Sequence, residues 1–192
     1  MRKQKYIAAM ALMLTLGVAS VYAQRYPVKM AFSGTTGPSV VDLKQPGTTN
    51  SDLDVAGRGL LGSFTFHGAR AITPFSPSSS STCSGPNMLA ASSKGGAGVF
   101  RFQDGGLLKV TLTQGEDCLD LAALQAHCVL TFQITGGTGR FKDASGTLTL
   151  TETVVPLVAD SSGNPVFFTT TGEFTGTVSG ASREADHQAE WQ

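Results

Sequence analysis

Apolar side chains recur at every second position in run after run of this chain. Residues 60–68 set Phe64 and Phe66 on one face and Thr65 and His67 on the other. Residues 99–103 repeat the pattern with Phe100 and Phe102, and 107–113 alternate Leu108, Val110 and Leu112 with Lys109, Thr111 and Thr113. Residues 129–134 and 147–155 carry it on through Leu130, Phe132, Ile134, Leu148 and Leu150. In 166–178, Phe168, Phe174 and Val178 share a face, with Gly172 and Gly176 as bends in a closing strand. A period of two predicts half-buried β-strands. Shorter strands are expected at 28–32 and 88–91, and Asp104-Gly105 reads as a tight hairpin. Helical periodicity is nearly absent; helix-like content is confined to Leu119–His127. The chain is therefore all-β, either a closed antiparallel barrel of roughly eight strands or a β-sandwich, and closure has the advantage of removing exposed edges.

The apolar faces, with Leu60 included, are expected to point inward, and the facing threonines outward as a solvated surface of good strand propensity. Residues 24–54 offer one strand and then a run of turn signals, so they read as an arm or long loop. Residues 75–86 read as a flexible surface loop and 181–192 as a polar tail. The barrel domain is placed at 55–180. Between two of its strands lies Gly136-Gly137-Thr138-Gly139-Arg140-Phe141-Lys142-Asp143-Ala144-Ser145-Gly146. Its glycines permit a sharp turn that swings Phe141 back as a plug.

The pattern Gly-Gly-Thr-Gly-x-Phe-x-x-Ala-x-Gly at 136–146 resembles the signature of the allene oxide cyclase and dirigent protein superfamily, and similar stretches occur in secreted bacterial proteins. Gly136, Gly137, Gly139, Phe141 and Gly146 carry the likeness, with Asp143 inside it. The resemblance covers about residues 98–180. It implies an antiparallel barrel of roughly eight strands around an apolar interior, decides for barrel over sandwich, and makes self-association worth testing. It also implies chemistry by confinement, in which an apolar interior steers a reactive intermediate by positioning it.

Arg2, Lys3 and Lys5 precede an apolar run to about Val21, and Val21-Tyr22-Ala23 supplies the small residues of a cleavage site. Residues 1–23 are thus a secretory leader, shorter in its apolar part than the ~20 residues a spanning helix needs. The protein is expected to be secreted or periplasmic, with no membrane span in its mature chain. Loss of the leader leaves 169 residues, enough for one core, and 11 cations against 14 carboxylates. A net charge of −3 without a basic patch excludes a nucleic-acid binder. Cys118 and Cys128 bracket the helix-like stretch and are expected to pair, leaving Cys83 over, although pairings of Cys83 with either remain open because spacing does not fix connectivity.

Candidate chemistry is sparse. Phosphate-loop, dinucleotide and nucleophile-elbow motifs are missing, and His67, His127 and His187 lack metal-ligand spacing, so neither a metal nor a cofactor is expected. Asp117 and Asp120 beside Glu116 read as a solvated turn rather than a cation site. Extending the strand phases puts Glu152 in step with Leu148 and Leu150, Arg70 with Phe64 and Phe66, and Thr170 with Phe168 and Phe174. In an apolar cavity Glu152 would be a general base of raised pKa, with Arg70 steadying an anion; otherwise both lie past the strand ends in solvent. Arg140 and Asp143 read as structural. Two functions follow. In the first, Phe64, Phe66, Phe100, Phe102, Leu130, Phe132, Phe168 and Phe174 line a site for a small hydrophobic ligand. In the second, they fill the interior of a noncatalytic secreted module.

Overall fold

The computed structural model describes residues 25–77 and 83–181; residues 1–24, where the leader is expected, the serine-rich 78–82 and residues 182–192 lie outside the described residues. Among the described residues nine strands follow one another: β1 Arg25–Pro38, β2 Thr49–Gly59, β3 Gly62–Ile72, the two-residue β4 Ser76–Pro77, β5 Met88–Phe102, β6 Leu107–Asp120, β7 Gln125–Gly137, β8 Ser145–Ala159 and β9 Pro165–Ser179. They pair antiparallel in the order β3-β2-β1-β9-β8-β7-β6-β5, and β3 also pairs with β5, so eight strands close into a barrel while β4 edges β5. Closure leaves no free edge among these eight. No α-helix occurs among the described residues, and none is long and apolar enough to cross a membrane.

The first correction is at the N-terminal end. The passage expected to be an arm, 24–54, supplies all of β1 and most of β2, and β1 joins β2 to β9 at the heart of the sheet. Glycine and threonine at 33–37 look like turn signals, yet here they sit in strand, where Gly34 meets Val55 so closely that a Cβ would lie 2.1 Å from the carbonyl oxygen of Asp54. Glycine at such a place marks a close backbone approach rather than a turn. Leu60, expected inside, is 70% exposed because it occupies the β2–β3 turn. The helix-like stretch is a hairpin: β6 and β7 pair up to Asp120 and Gln125, and the Asp120 carboxylate accepts from the N–H groups of Ala122 and Ala123 to hold the turn.

One end of the barrel is shut by the glycine-rich connection between β7 and β8. Gly139 opens a single 3₁₀ turn at φ +58, and a Cβ on Gly137 would lie 2.0 Å from the Leu107 carbonyl oxygen. Phe141 is fully buried, its ring 4.6 Å from that of Phe102. Arg140 stacks over both rings, pairs with Asp104 at 2.7 Å and donates to the Leu61 carbonyl. Asp143 is exposed. Above this floor Phe64, Phe66, Phe100, Phe102, Leu130, Phe132 and Phe174 are all buried, with ring centroids 4.5–6.5 Å apart among the phenylalanines.

The disulfide joins Cys83 to Cys118, and Cys128 is free, correcting the expected Cys118–Cys128 pair. The cause is a bulge in β6. Leu108, Val110 and Leu112 face inward, but the register shifts between Leu112 and Gln114, so Gly115 and Asp117 face inward after it. Asp117 then lies opposite the inward Cys128, while Cys118 turns to the outer face, where Cys83 meets it. Side chains that alternate across a sheet cannot be joined through it once one extra residue has flipped the phase. We expect no thiol to react with an alkylating reagent in the native, unreduced chain and one to react after denaturation, mapping to Cys128. On the chain-entropy model a crosslink over 35 residues stabilises by about 3–4 kcal/mol, so Cys83→Ser should lower stability by that order and Cys128→Ser should leave the disulfide intact.

Candidate functional site

The far end of the barrel is built differently. There one inward position on each of five strands, one step below the apolar rim, is polar: Arg70 on β3, Asp117 on β6, Cys128 on β7, Glu152 on β8 and Thr170 on β9. Cross-strand register brings three of them into line, with Asp117 opposite Cys128 and Cys128 opposite Glu152. Arg70 reaches over from β3, which β5 separates from β6. Its Nη1 donates to both Asp117 carboxylate oxygens at 2.8 and 3.0 Å, and its Nη2 stands 3.8 Å from Glu152 Oε1. Thr170 Oγ1 donates to Glu152 Oε2 at 2.6 Å. Both candidate residues, Glu152 and Arg70, therefore lie inside the barrel rather than in solvent, and Thr170 lies with them.

Asp117 joins them although the sequence pattern gives it to the outer face. Its only signal is Gly115, directly after Gln114, a residue able to mark a bulge in an otherwise alternating run.

Burial sets the electrostatics. Asp117 is 1% exposed and Glu152 2%. Burial pushes the Glu152 carboxyl above its ordinary value of 4.5; the Arg70 charge and the Thr170 hydrogen bond oppose that shift without cancelling it. Burial also works against the charge on Arg70, but the Asp117 carboxylate beside it outweighs burial and keeps the guanidinium protonated. The Cys128 thiol is raised by burial and further by Asp117, so it is held as the thiol. The cluster thus combines a fixed ion pair with a carboxyl group that resists ionisation.

This has a measurable consequence. A carboxyl whose pKa is higher in the folded than in the unfolded chain favours folding at low pH, and that advantage is lost as pH rises from about 4.5 through the raised folded value. Glu152→Gln removes the titration and keeps an acceptor for Thr170. Its melting temperature relative to the parent should therefore rise as the pH is raised from about 4.5 and level off once the raised folded value is passed. A difference that does not change with pH would show that Glu152 titrates as it does in the unfolded chain.

Above the cluster the barrel opens into a cavity of about 420 Å³. Its floor is Arg70, Asp117 and Cys128, and its walls are apolar, including Ile72, Phe75, Leu119, Leu121, Leu124, Val154, Pro156 and Phe168, with Gln125 among the remaining lining residues. Of the eight residues expected to line a ligand site, Phe168 stands here, and the other seven pack the interior below. Apolar character continues around the opening. Except for Leu60, Val99 and Val129, the exposed large hydrophobic residues identified among the described residues, such as Val40, Phe75, Leu124, Leu157 and Phe167, belong to this end. Among the described residues no group of His, Cys, Asp and Glu is placed to hold a metal ion. His67 instead pairs with Asp54 at 2.6 Å on the outer face.

No family model matches the chain, and no curated protein matches it. Among solved structures the barrel is similar to the pterocarpan synthase dirigent protein GePTS1, with 13% identity over 90% of this chain and 99% of that chain and a TM-score of 0.38. That likeness assigns no role to any residue of this site.

Proposed function

We propose that this is an exported barrel that binds a small apolar molecule in the cavity at its open end. The observation that carries the proposal is the cavity itself: about 420 Å³, apolar on its walls, polar only toward its floor, and inside the size range of small-molecule sites. The glycine-rich stretch at 136–146, which resembles that of the allene oxide cyclase and dirigent superfamily, is in keeping with a ligand-holding barrel. The leader-like sequence at 1–23 and the Cys83–Cys118 disulfide support export into an oxidising compartment. The packed phenylalanine interior confines the ligand to the mouth.

Binding is tested with the neutral fluorophore N-phenyl-1-naphthylamine and a parallel melting assay. Fluorescence should rise on binding, and a ligand at 100 times its Kd should add about 2.7 kcal/mol of stability. Ala126→Trp, on the cavity wall and away from the floor, should abolish the fluorescence gain while leaving the fold intact. Equal fluorescence from parent and variant would place the probe elsewhere and overturn the proposal.

A further inference from the structure

We propose that the ligand held in the mouth cavity is a neutral apolar molecule bearing an oxygen acceptor, and that Arg70 selects it at the floor. The inference rests on the binding function proposed above and adds the class of molecule. Three groups supply the polar floor, and they are not equally available. Asp117 is 1% exposed and Cys128 2%, whereas the Arg70 side chain is 11% exposed. Of the three, the side chain most open to a ligand is therefore that of Arg70.

That guanidinium is only half used. Nη1 is committed to Asp117 at 2.8 and 3.0 Å, with Ser93 Oγ at 3.4 Å. Nη2 has its neighbours at 3.9 Å, the Cys128 sulfur, and 3.8 Å, Glu152 Oε1. The first is a long, weak N–H···S bond and the second distance is well beyond the 2.7–3.2 Å or so of a formed N–H···O bond, so one Nη2 hydrogen is left for a guest. A ketone, aldehyde, ether or hydroxyl oxygen would take it.

The charge around Arg70 decides against the alternatives. A ligand carboxylate would become a third acidic group around one cation that Asp117 already neutralises and Glu152 already approaches. An ammonium would meet the guanidinium itself. A plain hydrocarbon would fill the walls but strip water from the unused donor without replacing it, and a buried donor left unmade is costly.

The test uses the purified full chain and a matched nine-carbon series: 2-nonanone, nonane, nonanoate and nonylamine, each displacing N-phenyl-1-naphthylamine at neutral pH. A hydrogen bond from a charged donor corresponds to a preference of about tenfold or more, so 2-nonanone should displace the probe at about one-tenth the concentration of the other three. The paired replacement Arg70→Met with Asp117→Leu, which leaves no orphaned charge, should bind 2-nonanone and nonane alike. If the paired variant fails to fold, the series on the parent protein decides alone. Nonane, nonanoate or nonylamine binding as tightly as 2-nonanone overturns the inference while the cavity proposal stands. Failure of every compound and of the probe to bind overturns both.

Discussion

Arg70→Met is expected to destabilise the barrel by about 3–5 kcal/mol, a fall in melting temperature of roughly 6–20 °C for a domain of this size. Arg70 and Asp117 are both held in the barrel, and Asp117 has its two oxygens on one guanidinium nitrogen. Removing the arginine strands that carboxylate at 1% exposure without the partner that compensates its burial. The pair as a whole contributes much less than this, because desolvating two charges consumes most of their attraction. Arg70→Met combined with Asp117→Leu should therefore recover all but about 1 kcal/mol of the loss, and chemical denaturation of the parent, the single and the double variant measures it. Equal losses in single and double variants would mean that the guanidinium stem packs the cavity floor and that its charge is secondary.

The same cluster shows how far the sequence could be followed. Glu152, Arg70 and Thr170 were legible because each continues an unbroken alternation from the core: strand phase is a local property, and a run that stays in register carries its inward face to its end. The strand phenylalanines were legible for the same reason, and the plug at Phe141 was legible from the glycines around it. Asp117 and the disulfide were not, and both were lost to one event, the bulge in β6 after Leu112. A bulge depends on how a strand meets its partner and so cannot be read from one strand alone. The strands of 25–59 were obscured by another feature: Gly34, Gly57 and Gly59 sit where neighbouring backbones nearly touch, and glycines demanded by packing look in sequence like glycines demanded by turns. Which part of the interior is filled and which is open also depends on side chains meeting across the barrel, and no single run contains that information.

Phe174→Ala separates the filled part from the open part. Phe174 is fully buried, with its ring centroid 5.0 Å from Phe32, 5.2 Å from Phe66 and 4.8 Å from Phe100, and Phe64 and Phe132 lie a little beyond. Truncating a ring packed on all sides removes its transfer free energy and leaves a void that the stiff barrel wall cannot collapse to fill, so the expected cost is about 3–5 kcal/mol in chemical denaturation. Phe168, half-buried on the cavity wall, has less to lose, and Phe168→Ala should cost under about 1 kcal/mol while weakening the binding of N-phenyl-1-naphthylamine. Phe174→Ala should leave that binding unchanged where the protein remains folded. A cost below about 1 kcal/mol for Phe174→Ala would mean that the ring is not packed as placed, and the site for an apolar molecule would then extend down the barrel instead of stopping at Arg70 and Glu152.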